Sequence, residues 1–248
     1  MKKALLTMMV LAASTLAWAQ EENKETVAPA GDDVVGTFTF IPKVGLCYST
    51  VSMNSWPDMD LGLDKPDISG VVGPVVGLEA EYRMQPWLGL SAALFYSMQG
   101  RKYDNSDAYT NAIKNNSGLT NRSRKVTERY HFLNVPVTAN FHVMPRLSLY
   151  TGLQLGILFF KSQSSEWLEE DGSWTKVSER FSGSKVDFSI PVGASYALDN
   201  GLQFDLRYNH GLSNLSWSNG AVKEKSRVVQ LTVGYRLDMS KIIKRKNR

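Results

Sequence analysis

Three histidines, His131, His142 and His210, and one cysteine, Cys47, carry the most reactive side chains in this 248-residue chain. A histidine that reaches a hydroxyl can act as its general base. Ser213 stands three residues after His210. If His131, His210, Ser213 and nearby carboxylates converged at one rim of a membrane protein, they would suit chemistry on a lipid. No fixed spacing ties these residues together, and no metal-binding spacing occurs. The sequence therefore assigns no catalytic, cofactor-binding or metal residue, and the leading reading is not an enzyme. One cysteine excludes an intramolecular disulfide and a cysteine-rich zinc site. Apolar residues make up 43% of the chain, aromatics 10% and charged residues 21%, which excludes a disordered chain. The net charge is +4 with no basic recognition motif, so no nucleic-acid partner is expected.

Those residues must be positioned by something, and the first clue is an export signal. Met1, Lys2 and Lys3 precede an apolar run from Ala4 to Trp18, broken by Thr7, Ser14 and Thr15. Ala17 and Ala19 then occupy the small-residue positions of a cleavage site, so residues 1–19 read as a signal peptide cut before Gln20. No cysteine follows the run, which argues against a lipoprotein. Residues 20–37, with Glu21, Glu22 and Glu25, read as a flexible periplasmic leader. Residues 240–248 form a basic tail through Lys241, Lys244, Arg245, Lys246 and Arg248, able to touch anionic headgroups. Beyond residue 19 no apolar stretch approaches the length of a membrane-crossing helix.

Residues 38–239 instead alternate with period two in eight segments. Between Leu147 and Phe159, Leu149, Leu153, Leu155 and Ile157 share one face, and Ser148, Tyr150, Gly152 and Gln154 the other. Similar runs lie near Val44, Val76, Leu90, Val137, Val192, Leu206 and Leu231. These strands read as about 10 to 14 residues long, whereas soluble strands run about five or six and bilayer-crossing strands about 9 to 11. The lumen of an eight-stranded barrel is only wide enough for small side chains to fill. The large apolar face must therefore point outward, where lipid is its solvent. Met84-Gln85-Pro86, Met144-Pro145 and Asp199-Asn200-Gly201 read as short turns. They alternate with polar stretches at 51–69, 100–128, 161–184 and 213–226. The fold expected is all-β: an eight-stranded antiparallel up-and-down transmembrane barrel with short periplasmic turns and long extracellular loops. Outward aromatics near both strand ends predict two interfacial girdles. Pro74, Pro136 and Pro191 fall within strands, where each removes a ladder donor, so a local bulge is expected at each.

With the faces assigned, the inward charges become conspicuous. Lys43, Glu79, Glu81, Arg83, Asp205, Arg207 and Arg236 lie on strands one, two, seven and eight, which closure makes neighbours. Confined charges must be paired, so four cations and three carboxylates should form one ion cluster near the periplasmic side, plugging the lumen. Cys47 reads as a small lumen residue. Trp56, Trp167, Trp174 and Trp217 lie in the long loops and either pack them together or bind a sugar or protein. Arg101, Lys102, Lys114, Arg122, Arg124 and Lys125 make one loop basic. Glu166, Glu169, Glu170 and Asp171 make the next acidic, and the two either pair or meet outside partners.

The run Phe132-Leu133-Asn134-Val135-Pro136-Val137-Thr138-Ala139-Asn140, followed by Tyr150-Thr151-Gly152-Leu153-Gln154-Leu155-Gly156, resembles the PorT-like outer-membrane β-barrel family of the Bacteroidota. Lys185-Val186-Asp187-Phe188 with Gly193, and Tyr208 with Gly211-Leu212, are similar to its later strands. The resemblance covers residues 41 to 238 and implies an eight-stranded outer-membrane barrel without catalytic residues. Many such barrels end in an aromatic residue, whereas the last strand here offers Leu237 and a basic tail follows. The expected role is a non-enzymatic barrel serving structure or interaction through its extracellular loops. Expected partners are outer-membrane lipids, and the barrel assembly machinery during biogenesis. The alternatives are an accessory role beside secretion-system subunits, as the resemblance implies, and a lipid-modifying enzyme at the outer rim.

Overall fold

A computed structural model of the protein describes residues 35–53, 67–104, 123–168, 173–181, 185–215 and 224–238. The segments expected to be signal peptide and basic tail, and most of the expected leader, lie outside these residues. The described chain forms strands β1 (Phe38–Met53), β2 (Asp67–Gln85), β3 (Leu88–Asp104), β4 (Ser123–His142) and β5 (Leu147–Leu168). These are followed by β6 (Trp174–Phe181), β7 (Lys185–Ala197), β8 (Leu202–Gly211), β9 (Glu224–Tyr235) and β10 (Leu237–Asp238). Every pairing is antiparallel, and β1 closes the ring on β9 with registers such as Leu46↔Leu231. Closure leaves no ladder edge facing lipid, as hydrocarbon requires. Eight strands make the ring. The ninth, β6, pairs only with the upper part of β5, and β10 continues β9 beside β1.

The pleat separates the two faces as the alternation predicts. Leu153 is 68% exposed while the adjacent Gln154 is 4% exposed. Val44, Leu46, Val76, Leu78, Leu94, Leu206 and Leu231 likewise stand on the outer surface. Tyr82, Phe141, Tyr196 and Tyr235 are exposed beside the short turns, and Tyr48, Phe159 and Phe188 toward the opposite rim. The belt between these girdles is the membrane-spanning part of the ring. The lumen is bulkier than the sequence pattern implied. Ile41, Val75, Phe95, Tyr150 and Val228 point inward beside the small residues. Two cross-strand glycines make room for the rings. Gly77 pairs with Phe95 and Gly193 with Tyr150, and a Cβ on either glycine would sit within 2.3 or 2.4 Å of the facing ring.

Strand lengths depart from expectation. β3, β4 and β5 run 17, 20 and 22 residues, well past the outer girdle. Segments 100–128 and 161–184 are therefore not loops throughout, because β5 and β6 form a hairpin there with Lys161↔Phe181 and Leu168↔Trp174. Above the membrane a strand needs no apolar face, so the alternation that marks the crossing fades while the ladder continues.

The prolines behave in two ways. Pro74 lies in a register shift between β2 and β3, the bulge expected. Pro136 and Pro191 produce no register shift. Each lacks a pairing on one flank of its strand, and both rings are fully buried. A missing donor is tolerated there because the adjoining ladder rungs keep register on either side.

The short connections are Pro86-Trp87, Val143–Arg146 and Leu198–Gly201, with Gly201 at φ +91° supplying the left-handed turn residue. Protease added to intact cells is expected to cut within residues 105–122 or 169–172 and to spare Asp199-Asn200-Gly201. Cleavage at that turn with the long connections protected would invert the orientation.

Candidate functional site

The lumen is where the chemistry-bearing side chains meet. Lys43 from β1, Glu79 from β2, and Asp205 and Arg207 from β8 point inward because each occupies the small-residue parity of its strand. Lys43 Nζ lies 2.8 Å from Glu79 Oε2 and 3.2 Å from Asp205 Oδ2. Arg207 Nη2 lies 3.4 Å from Glu79 Oε2, and its Nε lies 4.0 Å from Asp205 Oδ1. The Arg207 guanidinium is held between two rings, 5.0 Å from the Phe95 centroid and 5.1 Å from that of Tyr150. The Tyr150 hydroxyl donates to Asp205 Oδ1 at 2.8 Å and accepts from Arg207 Nε at 3.1 Å. Cation–π contacts and charge-assisted bonds at this burial fix the arginine across the bore.

One layer closer to the periplasm, Glu81 gathers a second group. Its Oε1 is 2.6 Å from His142 Nε2 and 3.9 Å from Arg83 Nε, and its Oε2 is 3.6 Å from Arg236 Nη2. His142 Nδ1 meets Ser148 Oγ at 2.7 Å. Arg83 Nη1 donates to the Pro86 carbonyl at 3.0 Å, and Arg236 Nη1 to Gln203 Oε1 at 3.1 Å. All seven predicted charges are thus ion-paired. They form two adjacent layers rather than a single cluster, with His142 joining the lower one. Buried pairs of this kind are weak contributors to stability but costly to break.

A third group lies above the outer girdle, where the sequence reading placed loops. Arg101 Nε is 2.5 Å from Glu128 Oε2, and Lys161 Nζ is 2.6 Å from Glu128 Oε1. Arg101 Nη1 also approaches Glu224 Oε2 at 2.5 Å, and the Tyr130 hydroxyl donates to Glu128 Oε2 at 2.5 Å. All four charged residues fall in stretches whose sequence reads as loop, so the sequence pattern does not single them out. Val126, Glu128, Tyr130 and Phe132 hold the inward parity of β4 and are each buried, but their mixed types give no alternation to read. Burial alone would raise the Glu128 carboxyl, but Arg101, Lys161 and the Tyr130 hydrogen bond outweigh it and hold it at about 2. A carboxyl depressed below its unfolded value of about 4.3 stabilises the fold fully above that value, and the contribution is lost as pH falls through the folded one. The extracellular collar is therefore expected to persist at pH 4 and to loosen toward pH 2. Glu128→Gln should loosen it at neutral pH, at roughly 3 to 5 kcal/mol for unpairing buried cations. Hydrogen exchange of the upper parts of β4 and β5 reads both effects, and unchanged protection in the variant would contradict the pairing.

The catalytic alternative finds no support in the geometry. His131 on β4 and His210 on β8 are separated by β5 and β7 around the ring. His131 Nδ1 meets the Tyr96 hydroxyl at 2.8 Å, within an outward aromatic group that includes Phe159 and Phe160. Ser213 Oγ accepts the backbone N–H of Phe188 at 2.7 Å. His142, expected to face the lumen beside a short turn, does so. Cys47 is a buried lumen residue with its Sγ 3.2 Å from the Met98 carbonyl. Among the described residues, no group of three or more His, Cys, Asp or Glu could hold a metal ion. Trp167 Nε1 donates to Ser165 Oγ at 2.7 Å, whereas Trp56 and Trp217 lie outside the described residues. Lys114, Arg122, Glu169, Glu170 and Asp171 also lie outside them, and Arg101 pairs within the lumen rather than with the acidic stretch.

Comparison with known proteins adds three findings. The family model described as "Outer membrane protein beta-barrel domain" matches residues 4–236. No curated protein sequence matches the chain. Solved structures that align with it include Ail, the attachment invasion locus protein of Yersinia pestis, at 16% identity, covering 82% of this chain and 100% of that one with a TM-score of 0.42. OprG from Pseudomonas aeruginosa aligns at 13% identity over 82% of this chain and 97% of its own, with a TM-score of 0.43. Neisserial surface protein A aligns at 16% identity over 80% and 96%, with a TM-score of 0.42. A closed ring with an apolar outer belt and a matching family model over nearly its whole length leave one assignment: this chain belongs to the outer membrane protein β-barrel domain family, integral to the outer membrane, surrounded by its lipids and inserted by the barrel assembly machinery.

Proposed function

We propose that the protein is a closed, non-enzymatic outer-membrane barrel that serves a structural or interaction role through its extracellular part. The observation that carries this reading is the Lys43, Glu79, Asp205 and Arg207 layer, whose fully buried ion pairs span the bore. A lumen occupied in this way suits neither a diffusion pore nor a substrate channel. The part free to act on other molecules is the sheet of β3, β4, β5 and β6 that rises above the outer girdle. Export would use residues 1–19 as signal peptide, leaving residues 20–37 as a periplasmic leader and residues 240–248 as a basic tail.

A second reading, an accessory role in a protein secretion system of the Bacteroidota, is favoured by the PorT-like motifs of β4 and β5 alone. Affinity capture of the intact barrel from detergent-solubilised outer membrane separates the two. Recovery of the barrel without secretion-machinery subunits is expected, and their stoichiometric co-purification would favour the second reading.

A further inference from the structure

The outer surface of the extracellular sheet carries a polar cleft of about 450 Å³ that the lumen chemistry does not use. Its walls come from β2 to β6, and four cations line it: Lys102, Lys125, Arg129 and Lys176. Among the described residues, no ion pair or hydrogen bond holds any of these four side chains. Asp104 and Glu166 also line it, and each already makes an interaction of its own. Hydroxyls of Thr127 and Ser164 also line it, and these two residues are ladder partners. With four cations against two carboxylates, the cleft carries an excess of positive charge and donors, which is the chemistry of a phosphate-bearing ligand.

Its height is fixed by the aromatic group below it. Tyr96, His131, Phe159 and Phe160 contact one another on the lipid-facing surface and mark the outer interface. Arg129 precedes His131 by two residues on the same face, about 7 Å further toward the extracellular end of the strand. Lys102 pairs with Thr127, one more step of the same size above. A tilted strand makes these rises smaller along the membrane normal. Arg129 thus stands in the headgroup layer, which is about 5 to 8 Å deep on each side. Long cationic side chains above it can reach down into the layer.

The backbone supplies a separate observation. The register of β4 on β5 shifts between Arg124 and Thr127, and Lys125 there adopts φ +47°. A non-glycine residue in the left-handed region is strained, and such strain persists where the surrounding structure holds it for a purpose. Here it aims a lysine at the cleft instead of continuing the flat sheet.

We propose that this cleft binds the phosphate groups of an anionic glycolipid of the outer leaflet, anchoring the extracellular sheet to the membrane surface. The occupant comes from the bilayer because the cleft opens on the lipid-facing side of the ring, directly above its aromatic belt.

The test uses the full mature chain in nanodiscs of phosphatidylcholine doped with bisphosphorylated lipid A. Binding is read by native mass spectrometry, and folding is checked by heat-modifiable mobility. Replacing Lys102, Arg129 and Lys176 together with glutamine should weaken lipid A binding by roughly a hundredfold, as expected for three cations near an anionic surface. Restoring charge with the swaps Lys102→Arg, Arg129→Lys and Lys176→Arg should recover most of it, and Lys225→Gln on β9 should have no effect. Unchanged affinity in the folded triple variant would overturn the site. Equal binding of lipid A lacking phosphate would overturn the chemistry. Inositol hexakisphosphate bound as tightly as lipid A would make the ligand a soluble polyphosphate and overturn the membrane source.

Discussion

Replacing Leu153 with arginine is expected to destabilise the folded barrel by about 2 to 4 kcal/mol, the range for a cation at the bilayer midplane on a lipid-facing strand. Gln154→Arg, one residue away, should cost clearly less. Leu153 is the most exposed large apolar residue of β5, at 68%, and lies midway between Leu149 and Ile157 on the lipid face. Gln154 points into the lumen, where its Nε2 donates to Asn134 Oδ1 at 3.2 Å. An arginine there would find acceptors already in place. Asp187 pairs with Gly156 on the neighbouring strand, within diagonal reach of position 154, and its Oδ1 has no hydrogen-bond partner. The comparison is made by following the heat-modifiable folded species through urea titration in lipid vesicles. A larger loss for Gln154→Arg than for Leu153→Arg would show that the lumen has no room for the longer side chain.

The crossing part of the ring was legible in the sequence because lipid imposes the simplest rule a strand can obey. Every second residue between the girdles must be apolar, so Leu149, Leu153 and Ile157 announce both strand and face. Register followed from the same parity, since a slip of one residue would turn the whole apolar set into the lumen. The ends were less legible. Above the membrane both faces of β4 meet polar surroundings, so Arg129 and Thr127 outside look no different in kind from Glu128 inside. The ladder continues there through backbone hydrogen bonds, which leave no trace in side-chain type. The prolines misled for a related reason. A missing donor is visible in the sequence, whereas tolerance of the gap at Pro136 depends on Ala92↔Val137 and Phe95↔Asn134 keeping register around it.

The site divided in the same way. Charges within the crossing segments stand out against an apolar pattern, so Lys43, Glu79, Glu81, Arg83, Asp205, Arg207 and Arg236 could be grouped by strand order alone. What strand order does not provide is the third dimension. Phe95 and Tyr150 clasp Arg207 because two glycines on neighbouring strands leave the wall thin at those points. His142 joins Glu81 because β2 and β4 flank β3, where Gly89 leaves the inner surface open between them. The extracellular collar was invisible because Arg101, Glu128, Lys161 and Glu224 come from three stretches that each read as a loop.

The pairing of the lumen charges makes a functional prediction that can fail independently of the contacts. Wild-type protein in planar bilayers should show no resolvable conductance, and the Arg207→Ala, Arg236→Ala double variant should conduct. Arg207 is the residue that spans the bore. Its loss removes a guanidinium held between two rings and leaves Glu79 and Asp205 facing Lys43 alone. Arg236 is the most exposed of the paired lumen cations, at 23%, and its loss opens the periplasmic side of the Glu81 layer. With two of the four cations gone and all three carboxylates kept, the remaining constriction is acidic, so the current should favour cations over anions. Arg207→Lys should remain closed or nearly so, because charge is kept although the planar fork is lost. The collar of Arg101, Glu128 and Lys161 lies in series with this constriction, so the double variant is also recorded with Glu128→Gln. Removing buried partners costs stability, so each variant must first show its folded, heat-modifiable form. Folded double and triple variants that both stay as silent as the wild type would remove the plugging role, and the ion pairs would then serve only to balance charge inside the barrel.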